Sequence, residues 1–329
     1  MTIREIAEMA GVSNAAVSRY LNNGYLSDEK REKIKKVIEE TGYSPSHNAR
    51  TLRTKRTKLI GVALPKIDSE TISKIVAGIS MELSKYGYYL ILANTDNTVK
   101  KEYEYIRVFK NNLVDGMIII GTMMDKTHKK LIKSLDCPAV VVGQQVDYCQ
   151  CVYHDDFEAA RQLTELMIEA GRRNIGYIGV PKADVAAGLR RFEGYSAALK
   201  KHGLKPPEGG VLEGAFTSES GYLSASKLLK ARPETDGIFC ATDNIALGVY
   251  EYLEQKGRKI GDDISVVGTG HTRLSTIVRP KLTTVHFQYK TSGIEAAKML
   301  LGELESDSPT SRRHVEIKLE VQLIKHDSV

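Results

Sequence analysis

The sequence predicts an α/β protein with a three-helix helix-turn-helix head at the N-terminus, a basic hinge, and a body of two doubly wound parallel-sheet subdomains. Three observations carry this. Residues 1–58 hold 12 Lys and Arg against 7 Asp and Glu, so +5 of the chain's net +6 lies there and the other 271 residues are nearly neutral. The opening apolar residues recur at helical spacing on either side of a glycine. From residue 59 onward, short β-branched runs alternate with amphipathic helical patterns.

Residues 2–10 and 14–21 read as two short helices joined by Gly11-Val12-Ser13. Ile6, Ala10, Val12, Val17 and Leu21 fall where two steeply crossing helices face each other, and Gly11 turns the chain between them. The second helix then presents Asn14, Ala15, Ser18, Arg19 and Asn22 outward. Short polar groups with one Arg suit base edges and phosphates in a major groove: Asn14 can fork to adenine, and Arg19 to guanine or a phosphate. Ser13 with Asn14 also fits a plain helix cap, but the turn, the charge asymmetry and the basic segment that follows all point to DNA. Ser27-Asp28-Glu29 opens a third helix by capping chemistry, Ile34, Val37 and Ile38 line its buried side, and Gly42 ends it.

Beyond Pro45, residues 46–58 carry Arg50, Arg53, Lys55, Arg56 and Lys58, and no acidic residue occurs from 41 to 67. A helix of that length is unstable alone in water, so the free hinge is expected to be a solvated linker. On DNA, Ala49 and Leu52 are expected to enter a minor groove as an apolar wedge while Arg50 and Arg53 hold phosphates.

In the body, residues 59–64, 88–93, 117–120, 139–142, 175–180, 238–241 and 266–268 read as buried parallel strands. Residues 72–86, 102–112, 157–170, 192–202, 222–230 and 246–256 read as helices. Two doubly wound halves create a cleft at strand carboxyl ends, where ligands bind. Such a body alone also fits a periplasmic sugar-binding protein. No secretory signal precedes the head and no apolar run approaches 18 residues, so the expected location is the cytoplasm.

The predicted strand ends carry Lys66, Asp68, Asn94, Asp96, Gln144, His154, Asp156, Thr242 and Asp243. Planar amides and carboxylates match sugar hydroxyls, and Tyr153 or Phe287 can stack on a sugar ring. Each polar residue also fits a helix cap, with Asp156 and Asp243 standing where N-caps are needed. No dinucleotide or P-loop phosphate cradle and no nucleophile elbow is present, so catalysis is not expected. Cys137, Cys149, Cys151 and Cys240 show no disulfide framework, and Cys149-Gln150-Cys151 with His154 lacks a second ligand pair at zinc spacing; neither metal nor cofactor is expected.

Thr2-Ile3-Arg4-Glu5-Ile6-Ala7, Ala10-Gly11-Val12-Ser13, Val17-Ser18-Arg19, Gly42-Tyr43-Ser44-Pro45 and Ala49-Arg50-Thr51-Leu52 together resemble the lactose/galactose repressor family of bacterial regulators, and the likeness runs to the C-terminus. The resemblance implies a periplasmic-binding-protein-like body behind a head at 1–45 and a hinge at 46–58. It assigns 59–153 with 285–313 to one subdomain and 154–284 with 314–329 to the other. Thr2, Ser13 and Tyr43 join the expected DNA contacts. Arg191, in Arg191-Phe192-Glu193-Gly194-Tyr195, matches a motif whose Arg reaches sugar hydroxyls, and Thr242-Asp243 matches a ligand-contacting strand end with Thr in place of the commoner Asn. The sequence departs from the family at Ala16, where Thr is common, at Gly270, where Asp is common, and at Gln144, where an Arg stands in relatives.

Residues 177–185 and Lys66-Ile67-Asp68-Ser69 resemble the trehalose-operon branch, which senses a phosphorylated disaccharide. Lys66 suits a phosphate by charge and Gln144 does not, which leaves neutral sucrose or trehalose open. The expected function is a cytoplasmic repressor of a carbohydrate operon. Its expected partners are double-stranded operator DNA, a sugar or sugar-phosphate effector and a second copy of itself. No leucine heptads follow the strand-like 315–323 segment, so a homodimer is expected rather than a tetramer. The competing reading is a sugar-binding or sugar-processing protein whose basic head is incidental.

Overall fold

A computed structural model describes residues 1–22, 24–43, 56–111, 114–305 and 314–329. It divides into two compact units, Met1–Thr57 and Lys58–Val329.

In the first unit, α1 (Ile3–Ala10), α2 (Asn14–Leu21) and α3 (Asp28–Thr41) enclose a small core. Thr2 and Glu5 cap α1 reciprocally: Glu5 N–H donates to Thr2 Oγ1 at 3.3 Å and Thr2 N–H to Glu5 Oε2 at 2.8 Å. Gly11 ends α1 at φ +62°, a left-handed conformation that favours glycine. Ser13 Oγ accepts the Ala16 N–H at 3.2 Å and starts α2. Ile6, Val17 and Ile34 are fully buried, and burial of each contributes roughly 1.5–3 kcal/mol. Val12, Leu21 and Ile38 pack against them. The third helix begins and ends where expected, but the Ser27 side chain makes no capping hydrogen bond; Asp28 and Glu29 supply negative charge at the N-terminal turn instead.

The second unit holds two parallel sheets. Strands β1 (Leu59–Leu64), β2 (Tyr89–Asn94), β3 (Gly116–Ile120), β4 (Ala139–Val142) and β5 (Gln150–His154) join β11 (Glu316–Leu319) in a sheet of order β11-β5-β4-β3-β1-β2. Strands β6 (Ile175–Gly179), β7 (Val211–Glu213), β8 (Gly237–Cys240) and β9 (Ser265–Val267) form the other, in order β7-β6-β8-β9. Strand β10 (Thr284–Phe287) pairs antiparallel with β12 (Val321–Ile324). The connecting helices are α4 (Glu70–Ser84), α5 (Val99–Lys110), α6 (Lys126–Lys133), α7 (Asp156–Glu169), α8 (Arg191–Lys201), α9 (Ser218–Ala231), α10 (Asp243–Gln255), α11 (Arg273–Ile277) and α12 (Tyr289–Glu305). A π-helical turn, Val185–Arg190, runs directly into α8.

Helix α12 returns the chain to the first sheet and crosses α4 at Gly78 and Gly293. A Cβ on either glycine would stand 2.1 Å from a backbone carbonyl of the other helix, so both positions require the missing side chain. The 315–323 segment is two strands, not one: Glu316–Leu319 pairs with β5 and Val321–Ile324 with β10. Residues 316–319 therefore belong to the first sheet, which corrects the assignment of all of 314–329 to the second half. Among the described residues, no helix is long and apolar enough to cross a membrane.

Candidate functional site

On the first unit, Asn14, Ala15, Arg19 and Asn22 are exposed along one side of α2 while Ala16 and Val17 face the core; Ser18 is half-buried. Ser13 and Thr2 stand at the N-termini of α2 and α1, where free N–H groups and the helix dipole favour an anion. Tyr43 packs partly into the core. Ala49, Arg50 and Leu52 lie outside the described residues. Tyr25, which no motif in the sequence marks, is 94% exposed. The loop that presents it is braced by the Gly24 N–H to Arg19 O at 2.9 Å and by Arg31 Nη2 to Gly24 O at 3.3 Å.

On the second unit, the expected ligand residues separate into three groups. Lys66, Asp68, Asn94 and Asp96 brace one another at the ends of β1 and β2. Asn94 takes the Ile67 N–H at 3.1 Å and donates to Asp96 at 2.7 Å, Lys66 lies 3.5 Å from Asp68, and Lys101 holds Asp96 at 2.7 Å. These bonds make a loop brace, and none of the four lines the cavity described next.

Gln144 and His154 do line that cavity, about 390 Å³, with Gln145, Asp155, Asp156 and Arg190. The Gln144 amide is held at both ends, Nε2 donating to Asp184 Oδ1 at 2.8 Å and Oε1 accepting the Ala186 N–H at 3.2 Å. Because Gln144 follows β4 and Asp184 caps the π turn after β6, these bonds tie the two halves together. Asp184 Oδ1 also accepts the Ala187 N–H, and burial raises its pKa against both bonds. Glu70, at the start of α4, makes a second tie by accepting the Arg273 N–H at 3.0 Å. Neither Asp184, within the 177–185 stretch, nor Glu70 was expected at the site; the only local signal for Asp184 is an N-cap pattern, which many surface helices share.

Arg191 organises the third group. Its Nε donates to Asp156 Oδ1 at 2.7 Å and its Nη1 to Thr269 Oγ1 at 2.6 Å and to Ala241 O. Burial opposes its charge, and Asp156, with Tyr289 and Asp184, more than restores it, so its pKa is raised. Phe287 was expected to stack on a sugar; it is 1% exposed and lies under the Arg191 guanidinium, 5.0 Å from ring centroid to Cζ. It supports the Arg rather than facing the cavity.

Asp156 and Asp243 are not the caps they were expected to be. The N-caps are Asp155, which takes the Glu158 N–H, and Thr242, which takes the Ile245 N–H. Each Asp stands one residue later, turned inward. Asp243 is 1% exposed and accepts from Thr272 N–H at 2.7 Å, Thr272 Oγ1 at 2.9 Å and Thr284 Oγ1 at 2.7 Å, and burial raises its pKa. His154 is buried against Phe287 and Tyr289, its Nε2 has no hydrogen-bond partner among the described residues, and burial pushes its pKa down to about 4. The four cysteines are free thiols, and among the described residues no group of three or more His, Cys, Asp or Glu is arranged to hold a metal.

Two family models match. One, bacterial regulatory proteins of the lacI family, spans residues 2–46; the other, periplasmic binding proteins and the sugar binding domain of the LacI family, spans residues 57–327. The sucrose operon repressor of Staphylococcus xylosus is 30% identical over 91% of this chain and 92% of its own length. The HTH-type transcriptional regulator RegA of Clostridium saccharobutylicum is 33% identical over 99% of this chain and 98% of its own. Among solved structures, the transcriptional regulator CelR–cellobiose complex matches with a TM-score of 0.76 at 26% identity, covering 100% of both chains. The trehalose repressor from Escherichia coli matches with a TM-score of 0.69 at 26% identity, over 81% of this chain and 99% of that one.

Proposed function

The chain belongs to the LacI family of bacterial regulatory proteins, and from that premise we propose a cytoplasmic repressor of a carbohydrate-utilisation operon, switched by a disaccharide such as sucrose or trehalose, free or phosphorylated. It is a DNA-binding transcriptional regulator rather than an enzyme. One observation supports the DNA-reading half most strongly: α2 spends Ala16 and Val17 on the core and leaves Asn14, Ala15 and Arg19, with Asn22 at its C-terminal end, exposed on the side that would face base edges. Ser18, with Thr2, Ser13, Tyr43 and Tyr25, then meets phosphates and sugars, and Ala49 and Leu52 enter the minor groove while Arg50 holds a phosphate. Relatives that act on sucrose operons or bind cellobiose support a sugar at the cavity of the body.

One head reads too few base pairs for genomic specificity, so two copies are needed on a near-palindrome. The edge strand β2 supports pairing through the body, since Tyr89, Ile91 and Leu92 on it are exposed apolar side chains. The sugar acts by favouring one arrangement of the two halves over another. Its coupling to DNA equals its difference in affinity between them. Selection of the full chain against random duplexes tests this reading: a two-fold motif should be enriched, and Arg19→Ala should lose it. Enrichment of no motif would refute it.

A further inference from the structure

We propose that the cavity takes an uncharged sugar in preference to its phosphate ester, an inference that rests on the sugar-binding reading above and narrows its ligand class. The first observation is the inventory of cations. Among the described residues, Lys318 and Arg190 line the cavity and Arg191 stands behind it, and each already has a carboxylate. Lys318 Nζ lies 2.8 Å from Asp155, Arg190 Nη1 2.9 Å from Glu193, and Arg191 Nε 2.7 Å from Asp156. Lys182, on the nearby loop after β6, lies over the Phe192 ring at 3.9 Å, and Lys66 pairs with Asp68.

A phosphate dianion needs charge-assisted donors to replace its hydration. Here it would have to take Lys318 or Arg191 from a carboxylate and leave that carboxylate beside it. Asp155 and Asp156 both line the cavity and balance its cations, so the walls offer a dianion no net positive charge.

The second observation is the set of groups that remain for a ligand. Among the described residues the buried His154 Nε2 has no hydrogen-bond partner, and the ring, held neutral by burial, offers a hydroxyl one hydrogen bond and a phosphate no charge. Gln145 Nε2 and the Tyr153 hydroxyl line the same space and donate to Glu316 at 3.1 and 3.4 Å, so what they offer a ligand is neutral acceptor oxygens. Neutral donors and acceptors beside paired charges match hydroxyls.

The test is calorimetry of the full chain at fixed ionic strength against neutral mono- and disaccharides and the 6-phosphate of each. At least one neutral sugar should bind, with its phosphate ester tenfold weaker or worse. A phosphate ester that binds as tightly as its parent sugar, or more tightly, would overturn the inference and leave the sugar site standing. Binding of no member of either set would refute the site itself and the inference with it. Asp155→Asn gives an independent check, because Asn still caps α7 while releasing Lys318: the preference for the neutral sugar should shrink about fivefold, and an unchanged ratio would also overturn the inference.

Discussion

Arg191 and Asp156 form a buried ion pair, Nε to Oδ1 at 2.7 Å, that joins the start of α8 to the start of α7. Neither side chain has enough water around it to stand alone, since their side chains are 10% and 6% exposed. The pair therefore sets both the stability of the second half and the groups near the cavity.

Replacing Arg191 tests both roles. Arg191→Ala leaves Asp156 as a buried carboxylate without a cation and should cost about 3–5 kcal/mol in urea unfolding. The double variant Arg191→Ala with Asp156→Asn should recover most of that stability yet still fail to bind sugar by calorimetry. Wild-type sugar affinity in the double variant would remove Arg191 from the ligand site.

Arg19→Ala in α2 should lower affinity for the selected operator by about 1–3 kcal/mol at matched salt, with little change on random DNA. Equal losses on both duplexes would make Arg19 a phosphate contact instead of a base reader.

The sequence revealed much of the architecture because burial leaves a periodic trace. Ile60, Val62, Ile118 and Val140 are buried strand residues in β-branched runs, and Ile6 and Val17 mark the facing sides of two short helices. Helix starts were less legible. Helix α10 begins at Asp243, not at residue 246, and α9 at Ser218, not at 222, because a first turn is held by caps such as Thr242 and Thr217 rather than by apolar spacing. The ligand site was legible only as a pool of polar strand ends. Arg191 lay in a motif, but whether Gln144 faces a ligand or clamps Asp184 depends on residues 40 positions apart, and no local pattern encodes that.

His128 gives the body a measurable pH dependence. It is fully buried on α6, with Glu102 Oε1 3.5 Å from Nε2 and Asp125 Oδ1 3.1 Å from Nδ1. Burial lowers its pKa, but Glu102 and Asp125 together outweigh burial and raise it above the usual histidine value. A raised pKa in the folded state means that this contribution to stability is complete below about pH 6.5 and is lost as pH rises through the folded value. Scanning calorimetry from pH 6 to 9 should show a wild-type midpoint that falls relative to His128→Gln. Parallel curves for the two proteins would show that His128 titrates alike folded and unfolded.

The exposed apolar side chains of edge strand β2 should hold the dimer. Light scattering of the wild type at micromolar concentration should give about 73 kDa, twice the 36.5 kDa chain mass. Ile91→Lys with Leu92→Asp should shift it toward monomer and weaken operator binding without loss of sugar affinity. A wild-type monomer, or a dimer untouched by these charges, would place the interface elsewhere or remove it.

The central claim is that sugar and operator are coupled through one protein. Fluorescence anisotropy of the selected operator, titrated with full-length protein with and without saturating neutral sugar, measures that coupling directly. The operator Kd should change by about fivefold or more, and operator DNA should change the sugar Kd by the same factor, because binding linkage is reciprocal. An operator Kd that is the same with and without bound sugar would contradict the account.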